Sequence, residues 1–184
     1  MTIDLNQFYF LYFIYIDQMH PQIKEVNYTG LSVTHYKSDN IYPLLPLLSQ
    51  EFPNWTIDKI KNYVKLVISK NNDVAGMLVA QNEAAYYVGL LVYTYQSITS
   101  ELLGNTIKDQ FTKGIVVENL IASSPILQKQ VFFILIENVI KIAKKNNCQF
   151  IELPKFDETY ELIKEKYKKQ ITKHNNFRIF IKLN

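Results

Sequence analysis

The chain is 184 residues long, with 48% hydrophobic residues and a formal net charge of +3. This length suits a single domain over residues 1–184, and the apolar share is enough to build a core, which excludes a disordered chain. The charge is too small to predict a polyanionic partner, and Arg178 is the only arginine, so sequence-specific nucleic-acid binding is not expected.

The N-terminal segment, residues 1–30, is predicted to add one strand and a linker to the rest of the chain. Aromatic and β-branched residues fill positions 8–16, which favours a strand over a short helix. This run is shorter than the ~20 residues that cross a bilayer, and no basic stretch precedes it, so neither a membrane anchor nor a signal peptide is expected. We predict a cytoplasmic protein, since a single cysteine, Cys148, leaves no intrachain disulfide to form.

The next segment predicts one strand and two helices. Alternating residues predict a strand over residues 31–36, and leucines at helical spacing with two prolines predict a short or kinked helix over residues 41–52. Thr56 is the expected N-cap of a helix over residues 56–70. The buried face of that helix is predicted to carry Ile57, Ile60, Val64, Val67 and Ile68.

A strand hairpin is predicted in the middle of the chain. Residues 74–80 and 84–95 are its two strands, separated by the turn-prone pair Asn82-Glu83. Residues 96–113 lack strong periodicity and predict either a loop or an extension of the strands. The next predicted strand covers residues 115–122.

The last third of the chain predicts a helix, a strand, a second helix and a final strand. A broad apolar stripe over residues 126–148 indicates a long helix on a sheet, with Leu135, Val139 and Ile142 buried. Cys148 at its end is expected to be a small core residue. The remaining predictions are a strand over residues 149–153, a helix over residues 157–171 with Tyr160, Ile163, Tyr167 and Ile171 inward, and a strand over residues 177–183.

The fold class predicted from this order is α/β (α+β), a mixed, mostly antiparallel sheet with helices on both faces. The order, together with Val79-Ala80 and Val88-Gly89-Leu90, resembles the GNAT superfamily of N-acetyltransferases. Residues 117–122, followed by Pro125, a long helix and residues 148–153, are similar to the fourth strand, the third helix and the fifth strand of that superfamily. The resemblance covers residues 31–183.

The resemblance implies acetyl-CoA as co-substrate, bound in an opening between the fourth and fifth strands, and an amine of a small molecule or peptide as acceptor. It implies that the backbone of Leu120, Ile121 and Ala122 pairs with the pantetheine arm and that an N–H group there stabilises the oxyanion. Glu118 takes the position of a general base, and Tyr167 that of the acid that protonates the thiolate, with Tyr160 as the alternative. The three histidines are far apart, so no metal site is expected.

The pyrophosphate-binding turn of the superfamily carries glycines that let backbone N–H groups approach the phosphates. The corresponding positions here contain no glycine, and they predict weak binding of acetyl-CoA, with a dissociation constant of about 100 μM or poorer. Two functions therefore remain open: an acetyl-CoA-dependent N-acetyltransferase, or a non-catalytic binding or dimerisation module of the same fold that has lost acetyl-CoA. The candidate pyrophosphate contacts are Gln128, Lys129, Gln130, Val131, Phe132 and Phe133.

Overall fold

The computed structural model of the protein describes residues 30–70, 74–99, 111–154, 157–174 and 178–183. The strand predicted at residues 8–16 lies outside these ranges. The described elements belong to one compact unit, Leu31–Asn184. Within the described residues, no helix has the length and apolar character needed to cross a membrane.

The described chain folds into seven strands, four α-helices and one short 3-10 turn, Tyr42–Leu44. The helices are α1 Leu45–Glu51, α2 Ile57–Ser69, α3 Pro125–Lys145 and α4 Asp157–Tyr167. The strands are β1 Ser32–His35, β2 Ala75–Gln81, β3 Tyr87–Thr99, β4 Phe111–Ala122, β5 Phe150–Pro154, β6 Ile171–His174 and β7 Arg178–Lys182.

All seven strands form one sheet, in the order β1-β2-β3-β4-β5-β7-β6. Neighbouring strands are antiparallel except β4 and β5, which are parallel and are joined by the long crossover helix α3. One face of the sheet packs against α3 and α4, and the other packs against α1 and α2. The predicted fold class, a mostly antiparallel sheet with helices on both faces, is confirmed.

Helix α2 follows the sequence prediction with one exception. The backbone N–H of Lys59 donates to Thr56 Oγ1 at 3.3 Å, so Thr56 caps the helix as predicted. Ile60, Val64 and Val67 are buried, whereas Ile57 is 40% exposed. The prediction for Ile57 was wrong because the core on this face of the sheet begins one turn later, at Ile60.

Of the segment 96–113, the structure describes residues 96–99 and 111–113, and these extend the two strands, as one of the two predicted alternatives has it. Strand β3 continues to Thr99 and pairs there with Phe111, the first residue of β4. In α3, Leu135 and Val139 are fully buried as predicted, while Ile142 is only partly buried because it lies at the margin of the core.

The C-terminal helix is shorter than predicted. Helix α4 ends at Tyr167, and Ile163 and Tyr167 are buried as predicted. Ile171 is not in the helix: it starts β6 and pairs with Ile181 of β7. After Tyr167 the chain turns, and the N–H of Gln170 donates to the carbonyl of Tyr167 at 2.8 Å. The backbone groups of the next residues then bond to β7 as strand β6, in place of a further helical turn.

Candidate functional site

The parallel strands β4 and β5 separate soon after they meet. They pair only from Gly114 with Phe150 to Val116 with Glu152. Beyond this point β4 continues to Ala122, while β5 pairs only with β7. Over residues 117–122, the edge of β4 that faces β5 therefore has no strand partner among the described residues, and its backbone N–H and C=O groups line an opening in the sheet.

A β-bulge lies just inside this opening. In the ladder between β3 and β4, Val92 is opposite Asn119 and Tyr93 is opposite Val117, so Glu118 is the extra residue. The bulge breaks the alternation of side chains along the strand. As a result Glu118 and Asn119 both lie on the side of the sheet that α1 and α2 cover.

Hydrogen bonds from neighbouring elements hold both side chains. Thr94 Oγ1 donates to Glu118 Oε1 at 2.8 Å, and the Tyr63 hydroxyl of α2 donates to Asn119 Oδ1 at 2.9 Å. Burial, together with the negative charges of Glu118 and Glu51, raises the pKa of Tyr63 to about 12. Tyr63 is therefore a neutral donor at physiological pH, and Glu118 is an exposed carboxylate in a fixed orientation.

Three aromatic rings form a wall next to this polar cluster. Phe52 stacks on Trp55 at 4.2 Å between ring centroids, and both rings meet the edge or face of Tyr63 at 5.7 and 5.6 Å. The Lys59 ammonium lies 4.4 Å from the Trp55 ring centroid. All three rings are half-buried, so they give the α1/α2 side of the opening an apolar wall that still reaches solvent.

The inner end of the opening, where the two strands part, is bridged by Arg178 of β7. Its Nε donates to Glu152 Oε1 on β5 at 2.6 Å, and its Nη2 donates to the carbonyl of Val117 on β4 at 3.1 Å. Val117 is the first residue of β4 beyond the paired segment. One guanidinium thus ties together β4, β5 and β7 at the point where the ladder stops.

The residues expected to meet the pantetheine arm lie along the unpaired part of β4. Leu120 and Ala122 belong to the core on the α3 side, and Ile121 belongs to the core on the α1/α2 side. Their side chains are buried. Because the N–H of Ser123 donates to the carbonyl of Val88, the pairing directs the backbone groups of Ile121 toward Leu90 of β3, and those of Leu120 and Ala122 toward the opening between β4 and β5.

The candidate pyrophosphate contacts at residues 128–133 lie inside α3, so they do not form the turn that the superfamily has at the corresponding positions. The helix starts at Pro125, with Ser124 as its N-cap, whose hydroxyl accepts from the N–H of Leu127 at 3.4 Å. Ser-Pro is a strong helix-start signal, and without glycines nothing favours an open loop here. Lys129 and Gln130 are exposed, Gln128 and Phe133 are half-buried, and Val131 and Phe132 are in the core.

Tyr167 lies between α3 and α4, on the opposite side of the sheet from Glu118. Its hydroxyl donates to Glu137 Oε1 at 2.6 Å, and Lys166 Nζ pairs with the other oxygen of that carboxylate at 2.7 Å. Burial and the contact with Glu137 raise the pKa of Tyr167 above its usual value. Tyr160, the alternative acid, is on α4, but its side chain is outside the described part of the chain.

Cys148 is buried just before β5, as expected of a small core residue. Burial raises the pKa of its thiol, which disfavours the reactive thiolate. Across the described ranges, no three His, Cys, Asp or Glu side chains come together in a group that could hold a metal.

No family model and no curated protein matches the sequence, but solved structures match its fold. A GNAT family acetyltransferase of Staphylococcus aureus has a TM-score of 0.55, with 71% of this chain and 90% of that chain covered. An aminoglycoside 6'-N-acetyltransferase of Acinetobacter baumannii has a TM-score of 0.58, with 79% and 95% covered. A Trypanosoma brucei acetyltransferase has a TM-score of 0.57, with 79% and 95% covered. Each is 13% identical to this chain.

The chain has the GNAT fold. The match spans nearly the whole of each of those structures, and it agrees with the resemblance noted in the sequence. Identity this low shows the GNAT fold alone, so the chemistry has to be argued from the residues at the opening.

Four residues at the opening were missed by the sequence analysis as site residues: Tyr63, Thr94, Asn119 and Arg178. Tyr63 and Asn119 are 56 positions apart, and Arg178 and Val117 are 61 positions apart, so no local pattern joins them. Arg178 alone carried a signal, because it is the only arginine in a chain rich in lysine.

Proposed function

We propose that the protein is an acetyl-CoA-dependent N-acetyltransferase that acts on an amine of a small molecule or a peptide. The observation that carries this proposal is the opening between β4 and β5, which offers unpaired backbone groups beside a bulged, oriented carboxylate. A thioester arm can extend along the free edge of β4 by β-type pairing, and an acceptor can approach from the α1/α2 side. The reaction is proposed for the cytoplasm, where the thiol of Cys148 stays reduced.

In this proposal Glu118 removes a proton from the acceptor ammonium, and the amine nitrogen then attacks the thioester carbonyl carbon. A backbone N–H of Leu120 or Ala122 stabilises the oxyanion that forms. Collapse of that intermediate breaks the carbon–sulfur bond and releases a CoA thiolate, and the nitrogen loses its second proton to solvent water to give the amide. Tyr167 is the proposed donor of a proton to the thiolate, for which its hydroxyl has to leave Glu137.

The test of this mechanism is the Glu118→Gln variant, which keeps the size of the side chain but cannot accept the proton. We expect acetyl transfer, measured as release of free thiol with a panel of primary amines, to fall at least tenfold, or about 1.4 kcal/mol of transition-state stabilisation. Glu83→Gln, an exposed acid in the turn between β2 and β3, is the matched control and should transfer at the wild-type rate. Equal rates in wild type and Glu118→Gln would remove Glu118 from the mechanism.

A second candidate function is a non-catalytic binding or dimerisation module. Val131 and Phe133 occupy the positions where the superfamily turn has glycines, and they favour this alternative. Val131 is buried and Phe133 is half-buried within α3, so the start of the helix has no open loop for a pyrophosphate. On this alternative the protein neither binds acetyl-CoA nor transfers an acyl group, and a homodimer is its proposed form. Sedimentation with and without acetyl-CoA separates the two candidates.

The α1/α2 side of the opening favours a cationic acceptor. The negative charges of Glu118 and Glu51 both contribute to the raised pKa of Tyr63. The wall of Phe52, Trp55 and Tyr63 adds an apolar surface next to these two carboxylates. An ammonium group with an apolar body fits this combination of charge and surface.

A further inference from the structure

Arg178 gives the carbonyl of Val117 the hydrogen bond that strand β5 does not provide. The ladder between β4 and β5 ends at Val116 and Glu152, so the carbonyl of Val117 no longer has a partner on β5. The guanidinium of Arg178 supplies a donor to it at 3.1 Å and stays anchored to Glu152 at 2.6 Å. A planar fork with several N–H groups suits this double contact better than the single ammonium nitrogen of a lysine.

The direction of β4 decides which part of a bound thioester meets Arg178. The strand runs from the paired end at Val116 to Ala122, and α3 starts at Pro125 beyond the open end. A donor that extends along β4 with its phosphates outward, toward the start of α3, therefore has its acyl group at the inner end. Glu118, the proposed base, also lies at this inner end, one residue from Val117.

We propose that Arg178 is a specificity-determining residue that limits the acyl group to the size of acetyl. This inference rests on the proposed function. The guanidinium closes the inner end of the opening, and its side chain is 25% exposed and its partner Glu152 19% exposed. A longer acyl chain would have to displace a charged group from two hydrogen bonds and bury apolar carbons against it, which is unfavourable.

The experiment compares acetyl-CoA, propionyl-CoA and butyryl-CoA as donors to one amine, by kcat/KM. In the wild type we expect acetyl-CoA to be preferred over butyryl-CoA by at least tenfold. Arg178→Ala in a Glu152→Gln background shortens the side chain without leaving a carboxylate unpaired, and we expect this preference to fall at least tenfold. Glu152→Gln alone is the matched control, since it keeps Arg178 and its contact with the carbonyl of Val117 and should keep the preference for acetyl.

The ratio between two donors is informative because a general loss of structure lowers both rates and leaves the ratio unchanged. An unchanged ratio in Arg178→Ala, or a wild type that uses butyryl-CoA as well as acetyl-CoA, would overturn the inference and leave the proposed function standing. The comparison of the three donors in the wild type tests the inference even when neither variant folds. A wild type that transfers no acyl group from any of the three donors would end the proposed function and this inference together.

Discussion

At the scale of single residues, the site depends on pairs that lie far apart in the chain. Glu118 was predicted as the general base because it lies within a strand that resembles the superfamily, and the structure adds Thr94 as the donor that orients its carboxylate. Tyr63 and Asn119 could not have been paired from sequence, since helix α2 and strand β4 meet only after the sheet has formed. A residue pattern identifies one member of such a pair, and the fold supplies the other.

Tyr63 gives a prediction on pH dependence. Its pKa is raised to about 12, so between about pH 10 and pH 12 the unfolded chain loses a proton that the folded chain keeps. The free energy of unfolding therefore falls as the pH rises through this window, by at most about 1.4 kcal/mol per pH unit for one group. Tyr63→Phe should make this decrease shallower.

The measurement is urea unfolding at a series of pH values from 7 to about 12. Tyr63→Phe also loses the hydrogen bond to Asn119, which changes its free energy of unfolding already at pH 7. The comparison is therefore between the slopes of the free energy of unfolding with pH. Tyr86→Phe, which changes a tyrosine that is 65% exposed, is the control and should leave the slope unchanged. Identical slopes for wild type and Tyr63→Phe would contradict the assignment.

At the scale of elements, most helices and strands follow from periodicity, capping residues and turn signals in the sequence. The errors are at the end of α4 and at the strand β6, which was not predicted. Ile171 has the spacing of the helix before it, so periodicity alone could not assign it to β6. The start of α3, predicted at residue 126, is at Pro125, where Ser124 caps the helix.

The close packing of α3 on β3 gives a second prediction. A Cβ atom on Gly89 would lie 2.0 Å from Val131 Cγ1, so Gly89→Ala should destabilise the protein by about 1–3 kcal/mol through overpacking. Combining it with Val131→Ala removes the clashing methyl group. The double variant should therefore lose less stability than the sum of the two single variants, by about 0.5–3 kcal/mol.

The matched control combines Gly89→Ala with Val139→Ala. Val139 is equally buried in α3 but lies eight residues further along, about 12 Å on an α-helix. Losses at these two sites should add, as they do for distant sites. Thermal or urea unfolding gives all the values, and additive losses for the Gly89 and Val131 pair would show that the helix does not rest on Gly89.

At the scale of the whole molecule, the fold class was predictable, and the opening between β4 and β5 was predictable only through the resemblance. Composition and periodicity do not show where two parallel strands separate. The point of separation depends on how many residues of β5 pair with β4 and how many pair only with β7. The bulge at Glu118 and the bridge by Arg178 lie where the strands separate, and the proposed thioester site depends on both.

The most direct measurement is isothermal titration calorimetry of the wild-type protein with acetyl-CoA, and in parallel with S-acetyl-pantetheine, which lacks the phosphates. Because β4 offers free backbone groups and α3 has no glycine turn, we expect acetyl-CoA to bind with a dissociation constant of about 100 μM or weaker, and acetyl-pantetheine to bind within about tenfold of it. Absence of binding heat for both compounds at millimolar concentration would contradict the claim that the opening between β4 and β5 is a thioester site.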